Sequence, residues 1–312
     1  EGTYQDEEGQ AACKPCEAGF TCPAGSVVMI PASCAAGTYL LNGSDTCVGC
    51  PAGSVCAGGA SQPRLCPRGG YCVANVSAST DCPAGRYGSE TGLSDASCSG
   101  ECEQGYWCAT GSVSAKAAPC DEGSYGNSTC LVSQANCTVC PEGHACPEAA
   151  AAPIACAVGS TANTTGLPTC APCEAGSYQG SKGQTACEPC TLGHWCEQGA
   201  SVPTACDAGY FGNRTGLQSA AECTPCPVAH YCVSGSQAPT ECPAGRYGAA
   251  QQLTDSQCSG SCASGHFCGA GSSSATATAC EAGSYNSATG GTSAASCQPC
   301  TRGGGCLEGS SE

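Results

Sequence analysis

The spacing of 36 cysteines within 312 residues constrains this chain more than any other feature. One pattern recurs, complete between Cys173 and Cys206: a loop C-x2-G-x-Y-x(n)-C, then a loop C-x2-G-x2-C, then a tail of nine residues. Repeats so rich in cysteine are typical of disulfide scaffolds. The chain has only 28 Ile, Leu, Val and Phe residues and a formal net charge of −16, so cross-links must replace the missing apolar core.

A disulfide scaffold requires an oxidising compartment, so we expect a secreted or cell-surface protein. Six of the seven asparagines lie in N-x-[ST] sequons, which predicts N-linked glycans in the same compartment. These asparagines are Asn42, Asn75, Asn127, Asn136, Asn163 and Asn213. No apolar run is long enough for a membrane span, and nine Lys and Arg against 25 Asp and Glu argue against nucleic acid. Since residue 1 is Glu, we expect a removed leader or a longer parent chain.

The repeats predict a fold of small disulfide-rich modules, an elongated rod of about ten tandem units with short β-ladders and little regular secondary structure. The predicted boundaries are 1–34 (cut at its start), 35–66, a half repeat at 67–82, 83–120, 121–156, a half repeat at 157–173, 174–206, 207–242, 243–280 and 281–312 (cut at its end). Residues 83–120 match 243–280 at an offset of 160, and both have C-x3-C where other repeats have C-x2-C. This match predicts that a larger block was duplicated.

The two half repeats favour a local disulfide scheme, in which each loop is closed by its own two cysteines. The long-loop pairs are then Cys34–Cys47, Cys82–Cys98, Cys120–Cys137, Cys156–Cys170, Cys173–Cys187, Cys206–Cys223, Cys242–Cys258 and Cys280–Cys297. The short-loop pairs are Cys16–Cys22, Cys50–Cys56, Cys66–Cys72, Cys102–Cys108, Cys140–Cys146, Cys190–Cys196, Cys226–Cys232, Cys262–Cys268 and Cys300–Cys306. An interleaved scheme, as in EGF-like modules, also satisfies the regular repeats but strains at the half repeats, and sequence leaves it open.

Two cysteines have no partner in the local scheme. Cys13 ends a long loop whose opening cysteine would precede residue 1, so we expect that the chain starts inside a repeat. Cys130 has no counterpart in the duplicated block, where Gly290 takes its place, and it is either a free thiol or bonded to another chain.

Four histidines, His144, His194, His230 and His266, share one place in the short loops. A metal site or a pH switch is one interpretation; packing is favoured because Phe20 and Tyr106 fill that place elsewhere. We also expect aromatic residues to cover disulfides of their own unit. Those of the short loops are Trp107, Trp195, Tyr231 and Phe267, and those of the long loops are Tyr4, Tyr39, Tyr87, Tyr125, Tyr178, Tyr247 and Tyr285.

Chemistry beyond disulfides has little support. The C-x2-C pairs, such as Cys13 with Cys16, have zinc-ribbon spacing, but zinc needs reduced thiols and the sequons indicate an oxidising compartment. Neither a GxSxG elbow nor an HExxH motif occurs, so we expect no enzyme, no catalytic residues and no cofactor. Weak calcium binding by the scattered acidic residues stays open, without a ligand set.

The CxxGxY…CxxCxxGxxC pattern resembles the ephrin-receptor-like cysteine-rich repeat and, more distantly, the tumour-necrosis-factor-receptor module. The resemblance covers nearly the whole chain, departing at 67–82, at 157–173 and around Cys130. It implies stacked extracellular modules, as in receptor ectodomains and in large surface glycoproteins of algae and other protists, including mastigoneme-like flagellar-hair subunits. We therefore expect a structural glycoprotein of a surface fibre or coat, with copies of itself or other fibre subunits as partners. The alternative is a receptor or adhesion ectodomain that binds a protein ligand.

Overall fold

The recurring element of the fold is a short β-hairpin stapled by a disulfide. The computed structural model describes residues 2–17, 20–31, 33–41, 46–59, 62–301 and 305–312. These residues contain no α-helix, and nearly every strand has only two residues. The fold class predicted from the cysteine pattern, small disulfide-rich repeats with little regular secondary structure, is confirmed.

The strands are numbered in chain order: β1 Thr3–Tyr4, β2 Lys14–Pro15, β3 Phe20–Thr21, β4 Ile30–Pro31, β5 Thr38–Leu40, β6 Cys47–Gly49, β7 Ser54–Val55, β8 Arg64–Leu65, β9 Gly70–Tyr71, β10 Thr80–Asp81, β11 Arg86–Tyr87, β12 Gly100–Glu101, β13 Tyr106–Trp107, β14 Ala118–Pro119, β15 Ser124–Tyr125, β16 Thr138–Val139, β17 His144–Ala145, β18 Ile154–Ala155, β19 Ser160–Thr161, β20 Ala171–Pro172, β21 Ser177–Tyr178, β22 Glu188–Pro189, β23 His194–Trp195, β24 Thr204–Ala205, β25 Tyr210–Phe211, β26 Thr224–Pro225, β27 His230–Tyr231, β28 Thr240–Glu241, β29 Arg246–Tyr247, β30 Gly260–Ser261, β31 His266–Phe267, β32 Thr278–Ala279, β33 Ser284–Tyr285 and β34 Gln298–Pro299. Single turns of 3-10 helix occur at Gln134–Asn136, Ala220–Glu222 and Ala294–Ser296.

The chain divides into two compact units. Unit 1 comprises Glu1–Pro141, Ala145–Ile154 and Thr165–Thr169, and unit 2 comprises Glu142–His144, Ala155–Thr164 and Cys170–Glu312. Within unit 1, antiparallel pairs form between consecutive strands from β1–β2 to β15–β16; within unit 2 they run from β19–β20 to β33–β34. The predicted repeats end at cysteines that open such hairpins, so their boundaries coincide with hairpin starts; the grouping into ten stays a prediction.

Apart from the β1–β2 hairpin, each hairpin is opened by a cysteine four residues before its first strand and is named after that cysteine. In the Cys173 hairpin the register pairs Tyr178 with Glu188, and the disulfide closes at Cys187, just before the second strand. In the Cys190 hairpin, Trp195 pairs with Thr204 and the disulfide closes at Cys196, just after the first strand. Both closing cysteines therefore lie one residue beyond the last strand pair, at the loop end of the hairpin. A disulfide that closes a long loop (a long closure) and one that closes a short loop (a short closure) are two ways to cross-link the same kind of hairpin.

Sulfur supplies most of the core. The opening cysteines from Cys34 to Cys280 are at most 5% exposed, while few large apolar side chains are buried at all: Leu40, Phe211 and Leu217. Proline ends the second strand of many hairpins, as Pro119, Pro172 and Pro225 do, where an edge strand tolerates its missing N–H. A hairpin with so little apolar area is marginal alone, so it depends on its disulfide and on its neighbours.

Neighbouring hairpins are joined by backbone hydrogen bonds that centre on the glycine before each first strand. Gly53 donates its N–H to the Cys72 carbonyl oxygen of the next hairpin at 2.8 Å, and its own carbonyl accepts from Cys66 at 2.9 Å. The loop of the Cys82 hairpin also contacts this region, since its Gly92 donates its N–H to the Cys66 carbonyl oxygen at 2.9 Å. A Cβ on Gly53 would collide with the carbonyl oxygen of Gly92, and only glycine leaves room for this approach.

These contacts recur along each unit and form a backbone ladder between hairpins. In unit 1 the equivalent donor–acceptor pairs are Gly37–Cys56, Gly69–Gly88, Gly85–Cys108, Gly105–Gly126 and Gly123–Cys146. In unit 2 they are Gly159–Gln179, Gly176–Cys196, Gly193–Gly212, Gly209–Cys232, Ala229–Gly248, Gly245–Cys268, Gly265–Asn286 and Gly283–Cys306. Within each unit, these hairpins are thereby fixed to their neighbours by hydrogen bonds of the main chain.

Candidate functional site

The cysteines are the side chains to which the sequence assigned the largest role, and the structure joins them in long and short loops. The long-loop bonds are Cys34–Cys47, Cys82–Cys98, Cys120–Cys137, Cys156–Cys170, Cys173–Cys187, Cys206–Cys223, Cys242–Cys258 and Cys280–Cys297. The short-loop bonds are Cys16–Cys22, Cys50–Cys56, Cys66–Cys72, Cys102–Cys108, Cys140–Cys146, Cys190–Cys196, Cys226–Cys232, Cys262–Cys268 and Cys300–Cys306.

Every bond in the described chain joins two cysteines that the local scheme also pairs, and none is interleaved. Cα–Cα distances of 5.6 to 6.3 Å lie within the usual range for disulfides. Apart from the β1–β2 hairpin, where Cys13 is free, each hairpin is therefore closed within itself, and among the described residues no disulfide links one hairpin to another.

The two closures differ in how far water reaches the sulfur. Most cysteines that close short loops, among them Cys56, Cys108 and Cys232, are at most 1% exposed, while Cys306 is half-buried. Most of those that close long loops are part-exposed or exposed, including Cys47, Cys137 and Cys187. Reductant therefore reaches the long-loop disulfides from solvent, whereas a short-loop disulfide must first be uncovered.

Cys13 and Cys130 are the free cysteines of the described chain, the first exposed and the second half-buried. Cys130 lies in the loop of the Cys120 hairpin at a positive φ of 66°, where most other hairpins have glycine. Its neighbours form a polar cluster across two hairpins. Arg86 donates to Glu101 at 3.3 Å and the Thr129 hydroxyl donates to the other Glu101 oxygen at 2.7 Å.

This cluster sets the ionisation of Glu101 and Cys130. The Thr129 hydroxyl, followed by the Cys130 thiol and the charge of Arg86, lowers the pKa of the Glu101 carboxyl from its ordinary value. Burial raises the pKa of the Cys130 thiol, and its hydrogen bond to Glu101 adds to that shift. The thiol is therefore protonated at neutral pH and is a weak nucleophile.

The four histidines do not converge on one another. Each Nδ1 lies 2.9 to 3.1 Å from the carbonyl oxygen two residues earlier, at Glu142, Leu192, Val228 and Ser264. The rings of His194 and His266 lie over Gly235 and Gly309, which belong to the loop of the hairpin two steps further along the chain. Within the described ranges, no group of three or more His, Cys, Asp and Glu side chains could hold a metal ion. The arrangement is that of packing residues.

The aromatic side chains cover sulfur, but not in the way the sequence indicated. Trp195 packs with Cys206, Leu217 and Cys223, the disulfide of the next hairpin, and Tyr125 packs on Cys140 and Cys146 in the same sense. The expectation that they would cover disulfides of their own unit was wrong for Trp195; Tyr125 does pack on a disulfide of its own predicted repeat, 121–156, but on that of the short loop rather than the long one. The cause is a parallel bridge from the first strand to the following loop, from Trp195 to Leu217 and from Tyr125 to Ala150, which turns each ring toward that loop.

The loops also contain a structural position that the sequence reasoning missed. Gly92, Gly166 and Gly216 have positive φ and contact the hairpin two steps earlier, and the leucine after Gly216 forms the bridge with Trp195. The signal was the tripeptide T-G-L at residues 91–93, 165–167 and 215–217. Its glycine makes the turn and its leucine fills the space below; Leu217 is 1% exposed.

The asparagines with and without a sequon differ in their exposure to solvent. Asn75, Asn127, Asn136, Asn163 and Asn213 are all exposed, and Asn42 lies outside the described residues. The asparagine without a sequon, Asn286, is 6% exposed and donates to the His266 carbonyl at 3.2 Å. Exposure thus separates the sequon asparagines in the described chain from the structural one.

An open groove of about 640 Å³ lies beside the Cys280 hairpin, lined in part by Phe267, Glu281, Ala294 and Glu308. At the equivalent place in the Cys120 hairpin, the Gln134 side chain bridges the Asp121 N–H and the Ser124 hydroxyl at 3.1 Å each. The smaller Ala294 leaves this space open. The groove offers carboxylates and apolar surface, without a nucleophile–base pair.

Residues 159–206 match the family model described as tyrosine-protein kinase ephrin type A/B receptor-like. The matched stretch runs from the Cys156 hairpin to the opening of the Cys206 hairpin, and its disulfides and backbone contacts recur in the hairpins on either side. The chain is a cysteine-rich repeat protein. No curated protein matches it.

A cysteine-rich repeat protein of this extracellular type is a surface or receptor-like protein, extracellular or secreted. Its repeats and stapled hairpins are of a non-catalytic kind. Among the described residues, no helix has the length and apolar character needed to cross a membrane.

Proposed function

We propose that this cysteine-rich repeat protein is a structural extracellular glycoprotein, a segment or protomer of a surface fibre or coat such as a flagellar hair. The observation that carries the proposal is the backbone ladder. It fixes each hairpin to its neighbour with main-chain hydrogen bonds, as between Gly53 and Cys72 or Gly193 and Gly212, so the repeats resist being pulled apart.

The disulfides limit how far a loaded chain can extend. In the Cys190 hairpin, the residues between Cys190 and Cys196 are locked and only the tail to Cys206 can be pulled out, to a span of at most about 35 Å. In the Cys173 hairpin, the locked loop runs to Cys187, and the free segment before Cys190 spans at most about 10 Å. A hairpin with a long closure therefore bears force with little extension. A hairpin with a short closure can extend under force, but only by the length of its tail.

Surface chemistry supports the same role. The net charge of −16 keeps uncoated faces apart, and exposed sequons provide places for a hydrophilic coat over a chain with little core. Copies of this chain or other fibre subunits are the expected partners.

Negative-stain electron microscopy of unreduced, secreted protein tests the proposal. A fibre subunit should form filaments with a regular axial repeat as concentration rises, and mild reduction should shorten or dissolve them. Particles that stay monomeric at every concentration, with and without the other proteins of the native surface, would contradict the fibre role.

The alternative, a receptor or adhesion ectodomain, is favoured by the family match, since the matching model is described as receptor-like. It expects saturable binding of a protein ligand to monomeric protein, measured by surface plasmon resonance against fractionated surface proteins. Binding that requires filaments would count against it.

A further inference from the structure

The Cys120 hairpin carries two sequons in different surroundings. Asn127 follows the first strand by two residues, whereas Asn136 belongs to the 3-10 turn before the second strand. Both sequons end in threonine, Asn127-Ser128-Thr129 and Asn136-Cys137-Thr138. The hairpin therefore holds a matched pair of acceptors that differ mainly in structure.

The Asn127 triplet is a loop between two anchored residues. Just before it, the buried Gly126 accepts a hydrogen bond from Gly105 at 2.8 Å, and just after it Leu131 accepts from Cys108 at 2.9 Å. Within the described chain, no backbone–backbone hydrogen bond involves residues 127–129, and all three are exposed.

Two surface contacts hold this triplet in place. The Gln104 side chain donates to the Asn127 carbonyl at 2.9 Å, and the Thr129 hydroxyl donates to Glu101 at 2.7 Å. Both are exposed side-chain hydrogen bonds, which water can replace at small cost. The triplet can therefore leave the surface without loss of the hairpin.

The same place recurs in other long-closure hairpins. Asn163 and Asn213, like Asn127, stand seven residues after their opening cysteines, Cys156 and Cys206. The Asn213 triplet follows Gly212, which accepts from Gly193 at 2.9 Å, and precedes Gly216, which donates to Cys190 at 2.9 Å. Residues 213–215 and 163–165 are exposed throughout.

The Asn136 triplet, by contrast, is built into the fold. Asn136 donates its N–H to Ser133 at 3.0 Å and its side-chain oxygen accepts from the Ser133 hydroxyl at 3.0 Å. Cys137 is bonded to Cys120, and Thr138 pairs with Tyr125 in the sheet. An enzyme that needs this triplet in an extended or turned form must break the disulfide.

Asn75 resembles Asn136 more than Asn127. It has φ +64°, donates its N–H to the Cys50 carbonyl at 2.9 Å, and its neighbour Val76 accepts from Cys56 at 3.0 Å. Its triplet is thus part of the ladder between hairpins.

We propose that Asn127, Asn163 and Asn213 are the N-glycan sites that remain open in the folded protein, and that Asn136 and Asn75 accept glycan only before their hairpins close. The donor is a lipid-linked diphosphate oligosaccharide. A bond forms between the sugar C1 and the asparagine Nδ2, the bond from C1 to phosphate oxygen breaks, the lipid diphosphate leaves, and a base of the transferase takes the amide proton. This inference is independent of the fibre proposal, since a receptor ectodomain would carry the same sites.

The test is site occupancy in protein secreted from a eukaryotic cell line, read by peptide mass spectrometry after enzymatic deglycosylation in heavy-oxygen water. We expect Asn127 and Asn213 to be nearly filled and Asn136 to be at least about fivefold lower. Equal occupancy of Asn127 and Asn136 in the parent protein overturns the proposal.

Two variants separate disulfide closure from local sequence. Cys120→Ser leaves the Asn136-Cys137-Thr138 sequon unchanged and should raise the glycan occupancy of Asn136 to that of Asn127. Cys262→Ser, which opens another hairpin, should leave the occupancy of Asn136 unchanged. Occupancy is measured in cell lysate as well as in medium, so a variant that fails to be secreted still gives a result. A brief pulse of dithiothreitol during synthesis of the parent should raise the occupancy of Asn136 as Cys120→Ser does. If the occupancy of Asn136 rises in neither case, the proposal that disulfide closure blocks this site is overturned.

Discussion

Residues 81–140 and 241–300 are two copies of one block, and they differ at few structural positions. Arg86 donates to the Ser97 carbonyl at 3.0 Å, and its counterpart Arg246 donates to Gln257 at 2.9 Å. The extra residue of the C-x3-C spacing donates its N–H to a tyrosine carbonyl in both copies, from Ser99 to Tyr87 and from Ser259 to Tyr247. The unusual spacing therefore encodes a β-bulge in the second strand, the same in each unit.

One place where the copies diverge is a polar cluster between two hairpins. The first has Glu101 and Cys130 where the second has Ser261 and Gly290. Cys130 adopts φ 66° and Gly290 φ 79°, so the backbone turn is kept although the first copy has lost the residue best suited to it. The comparison teaches that disulfides and backbone contacts define the block, while side chains around them vary.

The largest effect on stability should come from removing the corresponding disulfide from each copy. Cys82→Ala/Cys98→Ala and Cys242→Ala/Cys258→Ala each open a long loop, and each should lower local stability by about 3 kcal/mol. Native-state hydrogen exchange of the two hairpins measures this. Effects that differ by more than about 1 kcal/mol would show that surroundings, rather than the disulfide, set the stability of the block.

A ladder glycine should come next. A Cβ at Gly85 would lie 2.7 Å from the Cys130 carbonyl oxygen, and one at Gly245 would lie 2.6 Å from that of Gly290. Gly85→Ala and Gly245→Ala should each cost about 2–4 kcal/mol, from backbone collision together with positive φ. Gly25→Ala is the control, because Gly25 has the same φ of +86° as Gly85 and open space around it; it should cost about 1 kcal/mol. Equal losses at Gly25 and Gly85 would refute the collision.

Exchange of the diverged residue should have a smaller effect of opposite sign in the two copies. Cys130→Gly relieves a left-handed conformation and should stabilise its hairpin by about 0.5–1 kcal/mol, while Gly290→Cys should destabilise by a similar amount. Hydrogen exchange at residues 85 and 245 provides the measurement. Destabilisation by Cys130→Gly would indicate that the thiol contact with Glu101 outweighs the backbone strain.

The smallest effect should be the pH dependence of Glu101. Its pKa is lowered in the fold, so it adds stability above the ordinary glutamate range, and this stability is lost as pH falls through the lowered pKa. Glu101→Gln should therefore be less stable than the parent near pH 7 and equal to it once the pH has fallen below the lowered pKa of Glu101. The second copy, with Ser261, serves as a reference that lacks this step. A difference that persists in acid would assign the effect to packing.

Much of the hairpin framework could be predicted because covalent constraints are visible in sequence. The half repeats 67–82 and 157–173 leave too few cysteines for interleaving without strain, and the structure pairs neighbours there, as in Cys66–Cys72 and Cys156–Cys170.

Contacts between hairpins could not be predicted in the same way. They join main chain to main chain, so sequence shows only small residues such as Gly53 and Gly92, which are common in any loop. The direction in which Trp195 turns depends on its bridge to Leu217, and no local pattern contains that bridge. The positive φ of Cys130 could not be predicted, because a cysteine, unlike a glycine, does not indicate a left-handed backbone conformation.

The interchangeable closures have a consequence for how such a gene changes. Two short closures follow each other at Cys50 and Cys66, and two long ones at Cys156 and Cys173, without interruption of the hydrogen bonds at Gly53 and Gly159. A recombination event that duplicates or deletes one hairpin therefore joins ends that already fit. Copy number becomes a trait that selection can adjust in steps of one hairpin, with no new interface to invent.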